Sequence, residues 1–226
     1  RITGNGAYLH AGPEFAVAST KVFTNMVAAG LLFALTISTI SPREKKEIVK
    51  ELRKVPNIIY QQLIGDDGSI ASAAKLISGS EQPAIFIGRG GLSTHVAKEG
   101  ALKMMEISYI PCMAIPGGEL KHGPIALIDE NMPVLAIATK DELYDKMLNN
   151  IAEVKARGGT VIALATKGDT NIADLADEVV YIPAIDYLLT PILAVVPLQL
   201  LAYNIAIKRG CDVDQPRNLA KSVTVE

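Results

Sequence analysis

Two cysteines, Cys112 and Cys211, are all that 226 residues contain, and they belong to no ligand cluster. That excludes a disulfide framework and reads as two free thiols of an intracellular protein. No set of His, Cys and Asp residues has metal-ligand spacing, so no metal site is expected. An excess of one charge is missing too. A formal net charge of −2 gives neither nucleic acid nor an anionic membrane a reason to bind. The polar, glycine-rich first residues do not read as a secretory leader. No internal repeat and no low-complexity tract appears.

What is abundant is apolar residue, 49% of the chain, ample for a buried core. Two runs, Met26 to Ile40 and Tyr187 to Ile207, are apolar enough to raise the question of a membrane. The second could span a bilayer on length alone. It contains Pro191, Pro197, Gln199 and Asn204, however, and a helix buried against a sheet has the same composition. No membrane span is expected.

The chain begins at Arg1. Ala7 to Leu9 reads as a strand with no βαβ unit around it, and Phe15 to about Ile40 as one long apolar helix. A lone strand followed by a long helix looks like the tail of a domain whose earlier part is missing. Ser41-Pro42-Arg43-Glu44 is a capping box with proline in the first turn, and it predicts a surface helix. Asp66-Asp67-Gly68 predicts a turn, after which Ser69 can cap a short helix through Leu76. From Pro83 the pattern alternates. Strands are expected at Ala84–Ile87, Cys112–Ile115, Val134–Ala138, Val161–Ala165 and Val179–Ile182. Helices are expected from about Thr94, over Glu142–Ala156, near Ile172, and from Thr190-Pro191 to before Gly210, with a kink at Pro197. Five buried strands alternating with helices predict an α/β fold, a doubly wound parallel sheet.

The chemistry-bearing residues crowd into Glu99 to Pro124. Lys103 and Glu106 are three apart and share a helical face. They are either a solvated ion-pair face or a functional cluster, and the apolar neighbours Leu102, Met104, Met105 and Ile107 leave little room for solvent. A Glu in such a crevice moves protons near neutrality. His122 follows a short strand, either ending a helix or acting as an acid/base. Placed at the strand's carboxyl end, where open α/β sheets bind ligands, it could converge with Glu106 and Lys103 on one crevice. Gly88-Arg89-Gly90-Gly91 is either a tight turn or an anion contact. Its pattern continues with Ser93 where a dinucleotide fold has a third glycine, and no acid ends the second strand, so no nicotinamide cofactor is expected. His10 and His95 are isolated. Lys221 lies in a terminal loop, either solvated or, if partly desolvated beside a carbonyl, an imine former.

These residues carry a resemblance. Glu99-Gly-Ala-Leu-Lys103 through Glu106-Ile-Ser-Tyr-Ile, Gly118-Glu-Leu-Lys-His-Gly-Pro124, Val17-Ala-Ser-Thr-Lys21 and the ending Asp212 to Glu226 resemble the glucosamine-6-phosphate synthase family, the isomerising glutamine–fructose-6-phosphate aminotransferases. The resemblance covers essentially the whole chain. It implies sugar isomerase (SIS) domains, flavodoxin-like five-stranded parallel sheets, with residues 1–80 a remnant of a first SIS domain and linking helices, 81–210 a second SIS domain, and 211–226 a catalytic tail. It implies a cytoplasmic homodimer that turns fructose 6-phosphate and glutamine-derived ammonia into glucosamine 6-phosphate, without a cofactor and beside a glutaminase domain. By this likeness Lys221 forms the Schiff base, Glu106 moves the proton between C1 and C2, and His122 opens the ring across a dimer interface. Lys103 assists at the amine and enol oxygen, and Val17 and Ala220 give backbone contacts to the sugar. The phosphate-holding loop of a first SIS domain has no counterpart in the sequence. A chain lacking charge-assisted contacts of about 1.5–3 kcal/mol each is expected to hold fructose 6-phosphate weakly, and calorimetry would show it. Two other readings remain open: a non-catalytic sugar-phosphate-sensing SIS module, and a dimerisation unit with exposed apolar residues on its first long helix.

Overall fold

A computed structural model describes residues 4–63, 68–80 and 82–222. Its centre is a five-stranded, wholly parallel sheet in the order β2-β1-β3-β4-β5, made of β1 (Ala84–Gly88), β2 (Cys112–Pro116), β3 (Pro133–Ala138), β4 (Thr160–Thr166) and β5 (Glu178–Ile182). Ile85 pairs with Met113 on one side and Val134 on the other, so β1 is internal and β2 is an edge. This is the doubly wound arrangement expected from the sequence.

Successive residues of a strand point to opposite faces, and the core divides accordingly. Phe86, Leu135, Ile137 and Leu164 pack with α4 (Ser69–Ser78), α5 (Gly91–Ser108) and α7 (Thr190–Lys208). Ile85, Ile87, Val134, Ala136 and Val161 pack on the other face with Met147, Ile151 and Val154 of α6 (Tyr144–Lys155). Both faces being buried explains why the strands read as unbroken apolar runs. A side chain at Gly100 would meet Leu198 at 2.6 Å and Phe86 at 3.1 Å, so glycine there lets α5 and α7 approach closely. The segment Tyr187–Lys208 is long and apolar enough to cross a membrane, and 61% of its apolar window is buried. It is the core helix of this layer, and it runs through Pro197.

Before the sheet come α1 (Lys21–Ile37), α2 (Pro42–Leu52), and α3 (Val55–Ile58), which continues into a π turn at Ile59–Leu63. The box at Ser41 forms: Glu44 N–H donates to Ser41 Oγ at 3.2 Å, and Ser41 N–H donates to the Glu44 carboxylate at 2.8 Å. Two expectations fail. Ala7–Leu9 is not a strand, since no other described strand pairs with it and an unpaired ladder gains nothing from extension. The first helix begins at Lys21, not Phe15, because the backbone just before it is bonded elsewhere. Val17 N–H donates to the Asp214 carbonyl at 3.0 Å, and Thr20 N–H donates to the Glu14 carboxylate at 2.8 Å. Elsewhere the boundaries move by a few residues, with α5 starting at Gly91 rather than Thr94. The aspartates of the predicted turn at 66–67 lie outside the described residues.

Candidate active site

α5 turns one charged stripe inward. Its apolar neighbours pack on the sheet and on α7, which carries Glu99, Lys103 and Glu106 out of bulk water. Lys103 is 4% exposed and Glu99 9%. The Lys103 ammonium lies 2.6 Å from Glu106 Oε2 and 3.4 Å from Glu99 Oε1. Burial pushes the Glu99 carboxyl above its ordinary range, against the pull of Lys103. Glu106 is the member that opens outward, its side chain 22% exposed. The solvated-face alternative is thereby excluded for Lys103.

Below Glu106, α5 ends in a left-handed turn at Tyr109. There the C-terminal tail crosses. Arg217 N–H donates to Tyr109 Oη at 2.8 Å, and its guanidinium lies 4.3 Å from the Tyr109 ring centroid, a cation–π contact. A groove of about 480 Å³ runs between them, lined by Leu102, Met105, Glu106, Tyr109, Arg217 and Leu219. Glu106 therefore faces a cleft that the final peptide borders. Ala220, the next residue, is exposed.

The tail then meets the start of α1. The Lys221 ammonium donates to the carbonyls of Ala16 at 2.9 Å and Val17 at 3.3 Å, and to Glu14 Oε2 at 3.2 Å. Two residues singled out from the sequence, Val17 and Lys221, are thus brought together. Burial raises the Glu14 carboxyl, but hydrogen bonds from Thr20 N–H, the Ser19 hydroxyl, Lys221 and Val22 N–H outweigh it and bring it down to about 2. Glu14 was not among the candidates. Its partner at the far end of the chain is 207 positions away, and no local pattern signals that contact.

His122 is elsewhere. It ends a 3₁₀ helix, Gly117–His122, that follows β2, and it is exposed. Glu106 lies on α5, just before β2 begins. The five residues of β2, at about 3.3 Å each, put roughly 15 Å of strand between the end of α5 and the start of that 3₁₀ helix. The crevice expected at the carboxyl end of that strand is corrected in its place. Glu106, Lys103 and the tail gather at the amino end, because α5 and α7 run back antiparallel to the strands. The Gly88–Gly91 loop closes on itself as a tight turn. Arg89 N–H donates to Ser93 Oγ at 2.8 Å, Thr94 donates to the Gly88 carbonyl at 3.1 Å, and the Arg89 side chain donates to Asn150 Oδ1 at 2.7 Å. A side chain at Gly88 would meet the Ser93 backbone at 2.3 Å. Among the described residues no group of three or more His, Cys, Asp or Glu is placed to hold a metal ion.

Comparison with known proteins agrees with this architecture. The SIS domain matches residues 79–209. A glutamine–fructose-6-phosphate aminotransferase (isomerizing) from Thermus thermophilus is 50% identical over 97% of this chain, which spans 36% of that protein's length. One from Bacteroides thetaiotaomicron is 50% identical over 100% of this chain, which spans 37% of its length. The solved C-terminal domain of glucosamine-fructose-6-phosphate aminotransferase from Francisella tularensis superimposes with a TM-score of 0.84 at 41% identity, covering 92% of this chain and 58% of that one. The chain thus spans little more than a third of the length of the relatives it matches.

Proposed function

The chain belongs to the SIS-domain family, and from that premise we propose that it is the isomerase portion of an enzyme converting fructose 6-phosphate and glutamine-derived ammonia to glucosamine 6-phosphate. In this reading residues 1–80 belong to a preceding SIS domain and its linking helices, 81–210 form the second SIS domain, and 211–226 are the catalytic tail. The working protein is a cytoplasmic homodimer that also carries a glutaminase domain.

Each step falls to a named group. His122, lent by a second copy, opens the sugar ring. The Lys221 amine adds to the C2 carbonyl of the open ketose and expels its oxygen as water, leaving a C2 iminium. That cation acidifies C1–H. Glu106 takes the proton from C1 and returns it to C2, one carboxylate serving two adjacent carbons. Lys103, 2.6 Å from Glu106 Oε2, holds that carboxylate in place and assists at the enol oxygen. Val17 and Ala220 offer backbone contacts to the sugar.

The observation that carries this reading is the groove itself. It gives a part-exposed carboxylate, backed by a buried lysine, an opening bordered by the peptide that bears Lys221. A non-catalytic sugar-sensing module has no need of this arrangement. The test is borohydride trapping of fructose 6-phosphate on the intact protein, read by peptide mass. An adduct at Lys221 is expected, and it should persist in Glu106→Gln while turnover falls about a thousandfold. An adduct elsewhere, or none, contradicts the assignment. A second reading, compatible with the first, is an interface unit. Met26, Leu32, Phe33 (68% exposed) and Ile37 of α1 are open apolar residues, more than an uncovered helix is expected to show.

A further inference from the structure

We propose that Glu14 is the fixed counter-ion of Lys221, seating the amine before reaction and facing the iminium after it. This rests on the reading of Lys221 as the imine-forming residue. An ammonium has three N–H donors, and its seat has three acceptors: Glu14 Oε2, the Ala16 carbonyl and the Val17 carbonyl. The first is not a casual surface partner. The Glu14 side chain is 8% exposed although Lys221 is half open. Its oxygens are held from the other side by Thr20 N–H at 2.8 Å and by the Ser19 hydroxyl at 2.9 Å. The same carboxylate therefore anchors the start of α1 and the end of the chain. Exposed Lys–Glu pairs contribute little because both partners must be ordered. Here one partner is ordered already.

The chemistry gives that charge a task. A fully seated ammonium has no lone pair. It must first release one proton to solvent, after which the nitrogen pair forms the bond to C2 while the C2=O π pair moves to oxygen, which takes up a proton. Loss of that oxygen as water regenerates a cation at the same nitrogen, now an iminium with a single N–H. Two of the three seat contacts are lost at that stage. The contact worth keeping is the charged one, since a cation facing only neutral carbonyls lacks compensation. Glu14 stays ionised throughout, so it holds charge and exchanges no proton.

The test uses the intact protein and the borohydride-trapped hexose phosphate adduct of Lys221, followed against pH. Glu14→Gln keeps one acceptor oxygen, enough for Thr20 N–H at the start of α1, and puts an uncharged NH2 group where Oε2 faces Lys221. The whole trapping profile is expected to move toward acid by about one pH unit, because amine and iminium both lose their proton more readily without the anion. Glu14→Asp keeps the charge, and its profile should stay with the parent's. A merely structural role would lower the amount of adduct at every pH without moving the profile, and that result in Glu14→Gln would overturn the proposal. So would an aspartate profile shifted as far as the glutamine one. Absence of any Lys221 adduct in the parent protein would instead remove the imine assignment itself, and the proposal with it.

Discussion

Lys103 is almost wholly buried between two carboxylates on its own helix, 2.6 Å from Glu106 and 3.4 Å from Glu99. Removing it would leave the buried Glu99 beside the part-exposed Glu106 without a cation, and breaking such a pair costs more than the pair contributes. Lys103→Met is expected to lower unfolding stability by about 3 kcal/mol in denaturant titration. Adding Glu99→Gln should restore most of that, because one uncompensated charge goes with it. A single variant as stable as the parent would contradict this. At this scale the sequence is informative where partners are close along the chain. The three- and four-residue spacings of Glu99, Lys103 and Glu106 are legible because a helix repeats every 3.6 residues. Glu14 was not legible, nor was the Arg217–Tyr109 clasp, because each needs the whole fold to bring distant residues together.

Among the elements, the site's least regular part is the junction of α1 with the tail, where Glu14 replaces a conventional cap. Its folded carboxyl lies near 2 against an ordinary 4.5. A lowered folded value means that the stabilisation is present above pH 4.5 and is lost as pH falls from there toward 2. The difference in unfolding free energy between the parent and Glu14→Gln should therefore shrink over that window and vanish at its acid end. A difference independent of pH would show that the charge is not what Glu14 contributes. The strands, the box at Ser41 and the surface helix behind it follow from local rules of burial and capping. The start of α1 does not, because Val17 and Thr20 give their N–H groups to Asp214 and Glu14. Nor does the segment at Ala7–Leu9, which has strand-like residues and no described strand to pair with.

Over the whole molecule the parallel order of the sheet divides the proposed chemistry. Helices α5 and α7 return Glu106 and the tail to the amino end of the strands, while β2 carries His122 to the carboxyl end. Sequence alone placed them in one crevice because His122 follows a strand at the end where open α/β sheets bind ligands, and which end of the sheet Glu106 reaches is set only once the topology is known. If both act on one sugar, His122 must come from a second copy, and the activity belongs to the assembly. The direct measurement mixes Glu106→Gln and His122→Asn forms of the intact protein, each inactive alone, and assays glucosamine 6-phosphate formation. In a hybrid dimer one site receives both substitutions and the other receives neither. Random pairing should then restore about a quarter of the parent activity. No recovery from verified hybrids would mean that Glu106 and His122 serve from the same chain, and would contradict the division of the site between copies.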